Sequence, residues 1–79
     1  MIQIFKDAVN TGNVYVKDNG VVEVIFSGWE FVNALATDKH KLIKELEPVV
    51  SESVGFCVTG DSIDQLNPEL PLVSAMFVK

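Results

Sequence analysis

The stretch VYVKDNGVVEVIF, residues 14–26, restricts the fold of this chain more than any other. β-Branched and aromatic residues stand on both sides of Asn19-Gly20, a dipeptide that tolerates positive φ in a tight turn. The pattern predicts a β-hairpin over 14–26 with Asn19 and Gly20 at its turn. In the second strand Val22, Val24 and Phe26 share one face, and Val21, Glu23 and Ile25 share the other. That second face is still largely apolar. A strand apolar on both sides is internal to a sheet or is covered by something else. Val21, Glu23 and Ile25 are therefore candidate interaction residues.

The hairpin runs into FSGWEF, Phe26–Phe31. With Ser27 as the N-cap, Glu30 is the third helical residue, so Ser27 and Glu30 form a capping box. Phe26 and Phe31 then occupy the two positions of a hydrophobic staple. Trp29, the only Trp of the chain, has no part in either motif. It either folds back over the sheet or stands at the surface as a binding anchor, a role in which Trp is enriched.

Helical spacing follows, with Val32, Leu35, Leu42, Ile43, Leu46 and Val50 along one stripe. Thr37-Asp38 interrupts it with good N-cap residues, which leaves one central helix or two short helices over 28–47. Pro48 disfavours helix at the residue before it, so the helix is expected to stop there. SVGFCVTG reads as a strand near 54–59, with Val54, Phe56 and Val58 on one face. DSIDQLNPELP reads as a polar connection with room for a helical turn capped by Asp61, and LVSAMFVK as a last strand near 72–78. At the N-terminus, MIQIF places Ile2 and Ile4 on one face of a first strand, followed by turn-rich KDAVNTGN. These elements imply a single domain over 1–79, a small two-layer α+β fold. A mainly antiparallel sheet carries the helical segment on one face.

Composition narrows the function classes. A domain of 79 residues hides only about 60% of the surface of its unfolded chain. Yet 48% of the residues are hydrophobic, which reads as a well-filled core or as apolar surface left over for another chain, a second copy included. The formal charge is −5, from eleven acidic residues and six basic ones, all Lys. Without Arg the chain lacks the planar fork that grips phosphate and guanine edges. Together with the acidic balance, this argues against direct nucleic-acid binding. The longest nearly apolar stretch, LPLVSAMFV (70–78), is far short of the about 20 residues a membrane span needs. The first ten residues lack the charged and apolar regions of a secretory leader. A single cysteine cannot form an internal staple, so the cytoplasm is the expected compartment.

Few residues carry candidate chemistry. Cys57 alternates with Phe56 and Val58, and nothing in the sequence places His40, the only histidine, beside it; it reads as a small packing residue rather than a nucleophile. His40 sits among lysines in TDKHKLIK, and one His with one Cys falls short of a zinc ligand set. Asp61, Asp64 and Glu69 lack calcium-loop spacing. VTGDS lacks the glycine pattern and Lys of a phosphate loop. DKHKLIKELE reads as the solvated side of an amphipathic helix.

No cofactor, metal site or catalytic residue is expected. The sequence points to a small, acidic, non-enzymatic module that binds another protein as a regulator, inhibitor or accessory subunit, with a homodimer as a further option. Its size and charge would suit a phage or mobile element. Two other classes stay open: an acidic DNA-mimicking inhibitor, and a ligand-binding or catalytic domain assembled at an oligomer interface from Cys57 and the acids after Gly60.

Overall fold

In a computed structural model, which describes residues 2–11 and 13–79, the chain forms two helices and one four-stranded antiparallel sheet. The elements are α1 (Ile2–Asn10), β1 (Val14–Val16), β2 (Val21–Ser27), α2 (Trp29–Val54), β3 (Thr59–Gln65) and β4 (Leu72–Val78). The sheet order is β1-β2-β4-β3. This is the α+β architecture expected, with a first helix where a strand was expected.

The hairpin closes as its sequence requires, with Tyr15 opposite Glu23 and Val16 opposite Val22. Its turn spans Lys17–Gly20, where Gly20 N–H donates to Lys17 C=O at 3.1 Å. Gly20 has φ +82°, and no residue other than glycine has a positive φ among the described residues. The loop is thus a turn closed by one left-handed glycine, rather than one with both Asn19 and Gly20 at positive φ. Asn19 contributes through its side chain, whose Oδ1 accepts from Val21 N–H at 3.2 Å.

β2 is internal, between β1 and β4. Its Val22, Val24 and Phe26 are fully buried and stand opposite Phe77, Ala75 and Val73 of β4, which are buried too. Both helices lie against this face. Phe5 of α1 meets Phe26 and Phe31 with ring centroids 4.9 Å away in each case, edge to face. Phe26 and Phe31 stack at 5.3 Å.

Four expectations are corrected. The residues IQIF begin α1 instead of a strand: Phe5 and Val9 are buried with Ile4 and Ala8 half-buried beside them, two adjacent pairs four residues apart that a helix, but not an alternating strand, turns to one side. Gln3 and Asp7, also four apart, hydrogen-bond on the exposed side at 2.9 Å. The side chain of Ile2, also named for that strand, lies outside the description.

The helix start is one residue later than the capping box implies. Ser27 ends β2 and is exposed, and the N-cap is Gly28, with no side-chain cap bond. Gly28 has φ +143° and ψ +144°, backbone that glycine alone adopts readily. Its N–H donates to Pro71 C=O at 2.8 Å, which ties the corner to the loop before β4. The Glu30 carboxylate fills the space where a side chain on residue 28 would sit. The Phe26–Phe31 contact exists all the same.

α2 continues through Pro48 to Val54 and ends at Gly55, whose N–H bonds to Ser51 C=O. Pro48 is exposed. Helical geometry puts Lys44, whose carbonyl it leaves unpaired, on the same wet side. Beyond it Val50 is fully buried, and Val54 packs on the core. Burial outweighs the local cost of proline. The break comes earlier, at Asp38, with φ −161° and ψ 91°. There Asp38 Oδ1 accepts from Lys41 N–H at 3.1 Å. This is an N-cap bond to the third residue of a second helical segment. Both readings of 28–47 thus meet in one helix kinked at Asp38.

The third strand lies at 59–65, not 54–59, so Asp61 stands in a strand and caps no helix. Val54, Phe56 and Val58 do face the core, but from the helix end and the connection. β3 is held by its pairing with β4 and by α2: Glu47 Oε2 accepts from Gly60 N–H at 2.6 Å, and Ser51 Oγ accepts from Val58 N–H at 3.0 Å.

Candidate functional site: the open face of the sheet

Strand alternation puts Val21, Glu23 and Ile25 on the side of the sheet away from the helices. The register extends that face. Tyr15 flanks Glu23 from β1, while Val78, Met76, Ser74 and Leu72 of β4 stand opposite Val21, Glu23, Ile25 and Ser27. Thr59, Ser62 and Asp64 of β3 follow at its rim, where Lys39 of α2 reaches round the edge strand to Asp64. Among the described residues, no element covers this face.

An antiparallel sheet with one wet side ordinarily alternates apolar-in and polar-out. Here the outer side of the two central strands carries Val21, Ile25, Leu72, Met76 and Val78. Val21, Ile25, Leu72 and Met76 are half-buried, whereas Tyr15 is 51% exposed. Glu23 is the only charged residue on these two strands. Its carboxylate is held at one oxygen by Ser74, whose Oγ donates to Oε2 at 2.9 Å. Its other oxygen faces Lys17 Nζ at 3.7 Å, a loose and exposed pair.

Trp29 stands at the surface, 52% exposed, one residue after the corner. Leu66 and Leu70 are about as exposed and lie at the same end of the sheet. Leu66 N–H bonds to Leu72 C=O, and Pro71, next to Leu70, accepts from Gly28 N–H. An apolar end thus adjoins the open face at Leu72. Leu66 and Leu70 lie in the stretch 61–71, expected as a polar connection, of which residues up to Gln65 belong to β3. Leu72, Met76 and Val78 were likewise not among the candidates, although LVSAMFV shows the same two-sided apolar pattern as β2.

The other candidates fall apart in space. Cys57, expected as a small packing residue in a strand, is instead a free, exposed thiol in the connection after α2. His40 lies near the kink, whereas the connection carrying Cys57 returns beside Ser51, where Val58 N–H bonds; about 16 Å of helix axis, from residue 40 to residue 51, separates them. His40 does border a cleft of about 180 Å³ with Lys39, Ile43, Asp61, Ile63 and Asp64. Lys39 Nζ crosses this cleft to Asp64 Oδ1 at 2.7 Å. Among the described residues, no group of three or more His, Cys, Asp or Glu side chains is placed to hold a metal ion. The carboxylates are spread over α1, α2, β2, β3 and the loops, and Glu23 and Glu47 are engaged within the chain. No helix among the described residues is long and apolar enough to cross a membrane. No family model matches the chain, and no curated protein and no solved structure is similar to it at a significant level.

Proposed function

We propose that this protein is a non-enzymatic interaction module that acts as a regulator, inhibitor or accessory subunit by binding another protein through the open face of its sheet. The supporting observation is the row of apolar side chains outside the two central strands, Val21, Ile25, Leu72, Met76 and Val78, on a face without a covering element among the described residues. Contiguous apolar surface of this kind marks a binding site more often than a wet sheet face does. Trp29, Leu66 and Leu70 extend it at one end, and Trp is a frequent hot-spot residue. A reducing compartment such as the cytoplasm suits a chain whose one thiol is free and exposed.

The test is affinity capture from the native host, run in parallel with the wild type and a Val21→Ser/Met76→Ser double variant whose fold is checked by circular dichroism. A protein retained by the wild type and lost with the folded variant supports the reading. Equal retention by both would place binding elsewhere and refute it.

A further inference from the structure

Resting on that reading, the geometry points to a partner that is not a second copy of this chain but an amphipathic helix with one Lys or Arg within its apolar side, seated against Glu23. Three features carry this. The first is the state of the sheet edges. β1 has only three residues. β3 is interrupted between Gly60 and Ser62, carries Asp61 and Asp64, and gives Gly60 N–H to Glu47. Short strands, bulges and edge charges are how a sheet discourages strand addition. An occupant must therefore come over the face. The helices on the other side of the same sheet show what packs on a twisted surface of this size. Seven-residue strands present about 23 Å of length, which a helix of about 15 residues matches.

The second feature is where Glu23 sits. It has Tyr15 and Met76 on either side across the strands, and Val21 and Ile25 along its own strand face. Two copies packed face to face about a two-fold axis that passes over Glu23 would bring their Glu23 carboxylates together. Both charges would lose water with a like charge opposite, which is strongly unfavourable. The carboxylate thus acts against self-association on the very surface whose apolar content would otherwise promote it.

The third feature is that the same carboxylate is half ready for a cation. Ser74 fixes Oε2, while Oε1 has only Lys17, 3.7 Å away, with its side chain half exposed. A guanidinium or ammonium descending on the face can displace Lys17 into water and pair with Oε1. The surrounding aliphatic groups then exclude solvent and strengthen the pair.

Two measurements test this. Sedimentation velocity should show the wild type as a monomer and Glu23→Leu shifted to dimer at the same concentration. Titration with two labelled 15-residue amphipathic helical peptides, identical except for Arg or Leu at the centre of the apolar side, should show wild type preferring the Arg peptide at least about tenfold, the scale of a desolvated charge pair. Glu23→Gln, which keeps shape and removes charge, should abolish that preference and remain folded. Equal binding of both peptides by wild type would overturn the role of Glu23 and leave the binding face intact. A wild-type dimer disrupted by Val21→Ser would overturn the choice of a foreign partner. If neither peptide binds a monomeric wild type, both this inference and the interaction reading of the face fail.

Discussion

Replacing Phe5 by Ala tests how the N-terminal helix is attached. Phe5 is fully buried and touches Phe26 and Phe31 edge to face, each 4.9 Å between ring centroids. A buried Phe→Ala change costs about 3–5 kcal/mol through lost transfer energy and the cavity left behind. A chain of 79 residues has about 4–12 kcal/mol of stability in total. The substitution should therefore remove a quarter or more of it and lower Tm by at least about 12 °C. Urea unfolding followed by circular dichroism reads the loss, and the slope with denaturant shows whether α1 has come away, since less buried surface gives a smaller slope. Asp7→Ala, on the exposed side of the same helix, is the control and should change stability by no more than about 0.5 kcal/mol. A loss below about 1 kcal/mol for Phe5→Ala, far under the usual range, would mean that Phe5 does not fill the space between Phe26 and Phe31.

Cap register and corner geometry give further tests. Asp38→Ala should cost about 0.5–2 kcal/mol, because Oδ1 caps the second segment of α2. Ser27→Ala should stay within about 0.5 kcal/mol of wild type, because Ser27 is an exposed strand end; equilibrium denaturation of the two variants separates the two cap positions. Gly28→Ala should cost about 1–3 kcal/mol by thermal unfolding, since alanine resists φ +143°, while the exposed Glu30 carboxylate can swing away from the new Cβ. A neutral result there would mean the corner is built differently.

The legible parts of the fold are those where local chemistry and tertiary packing agree. The hairpin of 14–26 has turn residues, β-branched strands and alternation all favouring one answer. The break at Asp38 was visible because Asp caps helices through a local bond that needs no distant partner. The rest depended on contacts remote in sequence. α1 was hidden because Ile2 and Ile4 alternate over too few residues to expose the Phe5–Val9 period. Pro48 weakens a helix locally, and only the core around Val50 outweighs it. β3, TGDSIDQ, has one buried large apolar residue, Ile63, so its strand character comes from pairing with β4 rather than from its own residues. At the site, the apolar reverse side of β2 was readable from Val21 and Ile25. LVSAMFV carries the same two-sided pattern, but that Leu72 and Met76 stand beside β2 depended on a register that no local pattern specifies. Trp29 could not be oriented from the motif around it, because the cap proved to be Gly28 and the corner turns the indole outward.

The most direct test of the interaction face is a residue-level footprint. Backbone and methyl NMR spectra of the labelled protein, recorded with and without the partner recovered by differential capture, would map where it sits. The account predicts that signals of Val21, Ile25, Met76 and Val78 shift or broaden, while those of Glu45 and Glu52 on the exposed side of α2 stay in place. Shifts confined to α2 with an unchanged sheet face would contradict it.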